Sequence, residues 1–317
     1  MFDIVSLGEL LIDFTESGVS PAGQRLFEQN AGGAVANLVA AASQCGTKTA
    51  LLAKVGTDMH GRFLKQALVD SGVDVSGVIE ADDVFTTLAF VALAANGERT
   101  FSFARKPGAD TCYRADELPR EVLQNTRIFH TGSLSLTAEP VRSATYEAID
   151  IARKAGAVIT YDPNYRASLW NGKDEAVQFM RSLIATADIM KISDEELPLL
   201  TGETEPEAAA DVLADQGVRI IAVTLGKDGA YVRVGKDGRY VPGFAAKTAD
   251  TTGAGDAFFG GFLSRFIASG KLFKEVSLDD GADFARFGNA TASLCVERRG
   301  GIPAMPKLAD VLVRMNV

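Results

Sequence analysis

Short strand-like segments alternate with helical segments along most of this 317-residue chain. The strand-like segments are rich in apolar and β-branched residues and lie at 4–7, 49–55, 128–131, 157–161, 189–192 and 220–224. Between them, apolar residues recur with helical spacing at 34–45, 61–71, 138–155, 174–186 and 206–216. Parallel strands need a crossover connection, which is usually a helix. The alternation therefore predicts a three-layer α/β fold, in which helices cover both faces of a mostly parallel sheet.

Two segments interrupt this alternation with additional strand-like sequence. Residues 9–31 include the alternating run from Leu10 to Phe14, and residues 84–112 include two strand-like stretches around Asn96-Gly97, a hairpin signal. No internal repeat, low-complexity tract or long linker sets them apart from the rest of the chain. We therefore predict a single domain over residues 1–317, with these two segments forming a small β-sheet lid inserted into the α/β core.

The composition narrows the choice of partners and of chemistry. With 32 basic and 41 acidic residues the formal charge is −9, which argues against a nucleic-acid or anionic-membrane partner. The three cysteines lie far apart, as is typical of reduced thiols rather than of disulfides or a zinc site. Two histidines are too few to favour a hydrolytic triad or a His-ligated metal. The N-terminus has no signal-peptide pattern, and we expect a cytoplasmic protein.

A glycine-rich turn, from Asp250 to Asp256, leads directly into an almost wholly apolar helical segment. The first turn of a helix has unpaired amides and the positive end of the helix dipole, so Gly253, Ala254 and Gly255 suit an anion hole for phosphate. A carboxylate beside such a site is repelled unless it handles a proton or a metal. Asp256 therefore predicts phosphoryl transfer to an alcohol, with this carboxylate as the base. The alternative is an ordinary helix cap.

A second group of polar and small residues lies near the N-terminus. Gly32 and Gly33 precede the 34–45 helix and would let a polyol approach the backbone, while Asn37 projects from the same face with both a donor and an acceptor. Asp13 alternates out of an apolar run and can accept two hydroxyl protons. These features suit the hydroxyl groups of a sugar. A tight helix entry for the glycines and a solvated strand face for Asp13 are the alternatives.

Several charged residues follow predicted strands. Arg105 and Arg166 can meet an anionic group, the first through closure of the lid and the second from a loop where binding residues gather in open α/β sheets. Glu196, in the acidic run after the 189–192 strand, can hold Mg²⁺ through water. Solvated arginines and a charge-biased helix start are the corresponding alternatives.

Together these residues resemble the ribokinase-like carbohydrate kinases, also called the phosphofructokinase-B type. The resemblance spans the chain and rests on Gly8-Glu-Leu-Leu-Ile-Asp13, Gly32-Gly33, Val55-Gly-Thr-Asp-Met-His-Gly61, Thr224-Leu-Gly226 and Asp250–Asp256. Segments 105–110, 162–166 and 191–196 are most similar to fructokinases. The resemblance implies a ribokinase-like three-layer αβα fold with a lid.

The resemblance also implies roles for individual residues. Asp256 would be the catalytic base, with Gly253, Ala254 and Gly255 as the anion hole. The implied sugar site consists of Asp13, Gly32, Gly33, Asn37, Arg105 and Arg166. The implied ATP site consists of Lys191, Ser193, Thr224, Gly226, Gly229 and Asn289. Glu196 would organise Mg²⁺ through water, and a potassium site is implied at Asp250, Thr252 and Gly300.

The function that follows is ATP-dependent phosphorylation of a free hexose, with D-fructose and its 6-hydroxyl as the first choice. A 2-keto-3-deoxygluconate kinase, holding a carboxylate with Arg105 and Arg166, stays open, although Phe103 lacks the hydroxyl that such kinases usually present there. A catalytically silent sugar sensor on the same fold is the alternative from another class. A dinucleotide-binding dehydrogenase is excluded, because Gly8-Glu-Leu-Leu replaces the Gly-x-Gly-x-x-Gly fingerprint. The apolar strand at 88–91 predicts a homodimer formed through the lid.

Overall fold

A nine-stranded sheet forms the centre of the protein, for which a computed structural model describes residues 1–93 and 99–316. Its strands are β1 (Phe2–Leu7), β4 (Thr49–Gly56), β5 (Val78–Ala81), β8 (Thr126–Gly132), β9 (Val158–Asp162), β10 (Ile189–Ser193), β11 (Ile220–Thr224), β12 (Gly229–Val234) and β13 (Asp237–Pro242). Their order is β13-β12-β11-β10-β9-β8-β1-β4-β5. All neighbours are parallel except β11-β12 and β12-β13. The predicted mostly parallel sheet is confirmed, with an antiparallel hairpin added at one edge.

A separate four-stranded sheet, here called the small sheet, contains β2 (Leu11–Val19), β3 (Arg25–Gly32), β6 (Leu88–Leu93) and β7 (Arg99–Ala104). Its order is β3-β2-β6-β7. The pair β2-β6 is parallel and the two outer pairs are antiparallel. The predicted Asn96-Gly97 turn lies outside the described residues. That the chain is one domain with this sheet as its lid stays a prediction.

Helices connect the strands and cover the large sheet. They are α1 (Ala34–Gln44), α2 (Met59–Asp70), α3 (Arg120–Gln124), α4 (Val141–Lys154), α5 (Lys173–Ile184), α6 (Leu197–Leu200), α7 (Pro206–Asp215), α8 (Ala254–Ala268), α9 (Leu278–Cys295) and α10 (Leu308–Met315). In α4 the buried positions follow helical spacing, from Val141 through Ala144 and Ala148 to Ala152. Within the part of the chain that the structure describes, no helix is long and apolar enough to cross a membrane.

The core is divided by the large sheet into two layers. Successive strand residues point to opposite faces. Ile4 and Ile189 therefore pack into a cluster with α1, α8 and α9, whereas their neighbours Val5 and Met190 pack into a second cluster with α4, α5 and α7. The predicted three-layer αβα arrangement is confirmed.

The close packing of α1 against α8 joins two helices that are more than 200 residues apart in the chain. A side chain at Gly260 would overlap the carbonyl oxygen of Leu38 and the methyl group of Ala41. Glycine at this position lets the two helix backbones approach. Both helices begin at the edge of the sheet where parallel strands β1, β9, β10 and β11 end, so their first turns face the loops that follow those strands.

Candidate active site

A cavity of about 520 Å³ lies between the small sheet and the carboxyl ends of the parallel strands. The fold brings most of the predicted site residues to its wall: Asp13, Gly33, Asn37, Arg166, Lys191, Ser193, Glu196, Thr224, Gly226, Thr252, Gly253, Ala254, Gly255 and Asp256. The volume is in the range of small-molecule binding sites. Gly32, Arg105, Gly229, Asn289, Asp250 and Gly300 do not line it.

Asp256 lies in the first turn of α8 and is only 7% exposed. Its Oδ2 accepts a hydrogen bond from Nδ2 of Asn37 at 2.8 Å, and its Oδ1 accepts one from Nδ2 of Asn164 at 3.1 Å. Burial raises the pKa of Asp256, and this shift is opposed by the Asn37 hydrogen bond, the charges of Lys191 and Arg166, and the Asn164 hydrogen bond. The carboxylate is thus held on both oxygens at the edge of the cavity.

The start of α8 presents backbone amides beside Asp256. Gly253 is in the left-handed region with φ of 76°, which favours glycine and directs the chain into the helix. The amide of Ala254 donates to the carbonyl of Thr251 at 3.3 Å, whereas the amides of Gly253 and Gly255 have no acceptor among the residues described. Two of the three predicted anion-hole amides are therefore open to a ligand, at the positive end of the helix dipole.

A buried cation lies directly against this helix start. Nζ of Lys191 donates to the Asp162 carboxylate at 3.0 and 3.2 Å. A side chain at Gly255 would approach Lys191 Nζ to 2.9 Å, so glycine leaves room for the ammonium group. Burial opposes the charged form, but the Asp162, Glu196 and Asp256 carboxylates together raise the pKa of Lys191. These carboxylates therefore favour the positively charged form of Lys191 beside the open amides.

Glu196 connects the loops after β9 and β10. Its Oε1 accepts from the amide of Tyr165 at 2.7 Å, and its Oε2 accepts from the amide and hydroxyl of Ser193 at 2.9 and 2.8 Å. Because both oxygens are already hydrogen-bonded to protein, the carboxylate suits contact with Mg²⁺ through water better than direct ligation. In residues 1–93 and 99–316, no three His, Cys, Asp or Glu side chains form a metal cluster. The residues fit a Mg²⁺ ion that is bound mainly by nucleotide phosphates.

Asp13 extends from β2 toward the cavity. It has no hydrogen-bond partner within the described residues, and burial raises its pKa to about 7, with Arg166 opposing the shift and Asp256 adding to it. A side chain at Gly32 would overlap the Asp13 carboxylate, and one at Gly33 would overlap the backbone of Glu9. The two glycines thus leave space for Asp13 and for close packing at the start of α1.

Arg105 is not brought to the cavity wall. Its guanidinium is buried and donates to Asp110 at 2.8 Å, to the Thr137 hydroxyl at 2.8 Å and to the Leu134 carbonyl at 3.0 Å. These contacts tie the end of β7 to the segment after β8. Its role in binding substrate stays a prediction.

Other predicted residues also have structural partners outside the cavity. Nδ2 of Asn289 donates to the carbonyls of Val241 and Pro242 at 3.1 and 3.0 Å. A side chain at Gly229 would overlap that same strand end. Asp250 accepts from the amide and hydroxyl of Thr252 at 3.0 and 2.8 Å, and from the amide of Gly300 at 3.1 Å. The residues predicted to bind potassium therefore lie in two loops that the hydrogen bonds of Asp250 join.

Among the cavity residues that were not anticipated from the sequence, two form polar contacts within the site, Asn164 and Glu9. Asn164 follows β9 in Asp162-Pro-Asn, and its contact with Asp256 spans 92 positions of the chain. Glu9 follows β1, and its Oε1 accepts from the amide of Ala34 at 2.6 Å. Burial raises the pKa of Glu9 to about 7. Their positions directly after parallel strands were the available signal, because such positions meet at one edge of the sheet.

The cavity wall is predominantly acidic. In the part of the chain that the structure describes, six carboxylates line it, from Glu9, Asp13, Asp194, Glu195, Glu196 and Asp256, against two cations, Arg166 and Lys191. This charge balance suits a neutral, hydroxyl-rich ligand and a divalent cation. An anionic acceptor would meet more repulsion than attraction.

A strand-edge cavity with a helix-terminal carboxylate and open amides defines an α/β enzyme of the phosphoryl-transfer type. Residues 1–308 match the family described as pfkB family carbohydrate kinase, and the chain belongs to that family. Fructokinase-1 of Zea mays is 41% identical over 313 residues, which cover 98% of this chain and 96% of that protein. Fructokinase-1 of Oryza sativa subsp. japonica is 40% identical and covers 99% and 97%.

Solved structures agree with this assignment. Fructokinase from Vibrio cholerae O395, in a fructose, ADP and calcium ion bound form, superposes with a TM-score of 0.89 at 31% identity and covers 99% of both chains. Fructokinase from Xylella fastidiosa with bound ATP gives a TM-score of 0.88 at 31% identity and covers 99% and 98%. The predicted family and fold class are confirmed.

Proposed function

We propose that this protein is a fructokinase, which transfers the γ-phosphoryl group of ATP to the 6-hydroxyl of D-fructose. The observation that carries the proposal is the Asp256 carboxylate. The side chains of two asparagines hold it beside the open backbone amides of Gly253 and Gly255. This arrangement provides a base for a hydroxyl and an anion site for the group that it attacks. The relatives named fructokinase support the choice of sugar.

The reaction follows from these positions. The sugar oxygen attacks the γ-phosphorus, the bond from phosphorus to the β,γ-bridging oxygen breaks, and ADP leaves with the bonding electron pair. Asp256 orients the hydroxyl and accepts its proton, a contribution of roughly 10²–10⁴-fold in rate. The Gly253 and Gly255 amides and Lys191 stabilise the transferred phosphoryl group.

The sugar site uses two acceptors that the protein leaves open. Among the described residues, Asp13 has no hydrogen-bond partner, and Oδ1 of Asn37 is buried without one. A buried acceptor without a hydrogen-bond partner destabilises the free protein. A hydroxyl group of the ligand would supply that hydrogen bond without breaking an existing one. We place the ring hydroxyls on these two groups and the 6-hydroxyl at Asp256. Gly33 borders the sugar, and Arg166 faces it from the loop after β9.

The nucleotide lies, in this proposal, along the ends of β10 and β11, where Ser193, Thr224 and Gly226 line the cavity. When bound, Mg²⁺ would neutralise phosphate charge, and Glu196 would hold it through water. Potassium binding at the Asp250, Thr252 and Gly300 loops is also part of the proposal, and it rests on main-chain carbonyls there.

A sugar acid is a weaker candidate acceptor. A carboxylate would need a cation, but the Arg105 guanidinium already donates to Asp110, Thr137 and Leu134. The acidic wall favours a neutral sugar. A silent sensor would not require the complete set of Asp256, the open amides and Lys191, which supports an enzyme.

We further propose a cytoplasmic homodimer. Three free cysteines, two of them buried, suit a reducing compartment. The outer face of the small sheet carries Phe14, Phe27 and Phe90, with ring centroids 5.3 Å apart for Phe14–Phe90 and 6.1 Å for Phe27–Phe90. Phe27 and Phe90 are 37% and 38% exposed. A second copy of the chain would cover this aromatic face.

The Asp256→Asn variant tests the proposed activity. It removes the base but keeps the shape of the side chain, so we expect fructose binding to stay near the wild-type level while kcat falls by about 10²–10⁴-fold. Calorimetric titration of fructose and a coupled ADP assay measure the two quantities. Turnover close to that of the wild type would contradict the assignment of Asp256.

A further inference from the structure

The Asp256 carboxylate is fixed by two side chains from distant parts of the fold. Asn37, on α1, donates to one oxygen at 2.8 Å, and Asn164, in the loop after β9, donates to the other at 3.1 Å. Both amides are buried, with exposures of 4% and 8%. One donor would leave the carboxylate free to rotate about its Cβ–Cγ bond, whereas two opposed donors define its plane.

The backbone at Asn164 is adapted to this contact. Its φ is +46°, and it is the one non-glycine residue with positive φ in the described ranges. Asparagine tolerates the left-handed region better than most residues, because its short polar side chain can form local hydrogen bonds. The left-handed step turns the chain sharply after Pro163.

The residues on either side of Asn164 are anchored. The carbonyl of Pro163 accepts from the hydroxyl of Ser133 at 2.5 Å and from its amide at 3.3 Å. The amide of Tyr165 donates to Glu196 at 2.7 Å. Asn164 is therefore held between two fixed neighbours, and its amide group is pre-positioned against Asp256 rather than loosely placed.

We infer that Asn164 is a positioning residue for the proposed kinase reaction: it orients the Asp256 carboxylate toward the acceptor hydroxyl and favours its ionised form. The inference rests on the proposed function. Its physical basis is that a donated hydrogen bond stabilises a carboxylate more than a carboxylic acid. The orientation leaves the remaining lone pairs of Asp256 facing the cavity.

Loss of the Asn164 donor should change the pH dependence of the rate, which loss of a purely structural contact would not do. Only ionised Asp256 can accept the proton, so the rate falls on the acid side of the pH profile as this group becomes protonated. Burial already raises the pKa of Asp256, and the Asn164 hydrogen bond opposes that rise. Loss of the donor should therefore move the acid limb to higher pH.

Two variants of Asn164 test the inference. Asn164→Gly accepts the left-handed backbone but removes the donor, whereas Asn164→Asp keeps the size but replaces the donor with a carboxylate. For the glycine variant we expect kcat to fall roughly 10–100-fold, the acid limb to shift upward by about 0.5–1 pH unit, and the fructose KM to change less than about 3-fold. The aspartate variant should lose more activity at pH 8, because two carboxylates would then face each other.

The measurements are kcat and KM against pH for the wild type and both variants, with thermal unfolding as a check of folding. A wild-type kcat and acid limb in Asn164→Gly would overturn the inference. So would a loss of kcat in both variants with an unshifted acid limb, which indicates structural damage. If the wild type does not turn over fructose, the proposed function fails; if it does and Asp256→Asn alone is inactive, only the role of Asn164 fails.

Discussion

At the scale of single residues, the site keeps carboxylates in surroundings that disfavour their charge. Glu9 is buried and Asp13 is half-buried, and loss of hydration raises the pKa of each to about 7. Neither forms an ion pair that would offset the loss of hydration within the described part of the chain. Such a group favours ligand binding at the expense of the stability of the free protein.

The Asp13→Asn variant should be more stable than the wild type but bind the ligand less tightly. The pKa of Asp13 is about 7 in the folded protein and near 3.8 in the unfolded chain. The contribution of Asp13 to the free energy of unfolding is therefore full below pH 3.8 and is lost as the pH rises toward 7. We therefore expect the variant to be more stable than the wild type at pH 8 by on the order of 2 kcal/mol, with a smaller difference at pH 5. Fructose binding should weaken about 100-fold.

Urea unfolding at the two pH values measures the stability difference, and calorimetry measures fructose binding. Asp237→Asn, at an exposed position of β13, is a matched control that should show no such pH dependence. Equal destabilisation of Asp13→Asn at both pH values would contradict the expectation.

At the scale of elements, one polar contact that attaches the small sheet to the α/β core is formed by Arg105. Arg105, at the end of β7, has partners on both sides: Asp110 near its own segment, and Thr137 and Leu134 after β8. A guanidinium paired in this way fixes the orientation of one element against another. The position of Asp13 over the cavity depends on that orientation.

Loss of this attachment should allow ATP hydrolysis without phosphorylation of a sugar. In Arg105→Met the small sheet would cover the cavity less tightly, so water would compete as acceptor. We expect the fructose KM to rise several-fold and ATP hydrolysis without sugar to increase. An ADP-release assay with and without fructose measures both.

Thr137→Val separates attachment from direct substrate binding. It removes one partner of Arg105 on the far side of the contact but leaves the arginine in place. A smaller change in the same direction supports attachment. An unchanged Thr137→Val together with a large rise in KM for Arg105→Met would instead indicate that Arg105 contacts the sugar.

At the scale of the whole molecule, the proposed dimer would form through the aromatic outer face of the small sheet. Sedimentation of the wild type should give a mass near twice 33.5 kDa. The double variant Phe27→Glu with Phe90→Glu should shift the measured mass toward that of the monomer. Formation of the dimer would then bury the new carboxylates without an opposite charge to pair with them. Leu272→Glu, which is equally a change of an exposed apolar residue but lies beyond the far end of α8, should leave the mass unchanged. A monomeric wild type would contradict the proposed dimer.

Much of the fold and part of the site were predictable from local patterns. The strand at 220–224 and the helix at 34–45 agree with β11 and α1 to within one residue, because periodicity reports which face of an element is buried. The turn from Asp250 to Asp256 predicted a helix start with open amides, because those amides are a property of any first helical turn. The acidic residue at 256 predicted a proton acceptor for the same local reason.

What the sequence by itself determined is therefore the order of the elements, the layered fold and the kinds of chemistry present, since these depend on neighbours along the chain. Only the tertiary structure decided which groups are free to bind. Arg105 looked free but donates to Asp110 and Thr137, and Asn164 looked like a loop residue but contacts Asp256. Hydrogen bonds, burial and the resulting pKa shifts depend on neighbours in space. For Asn37 and Asp256, those neighbours are 219 positions apart in the chain.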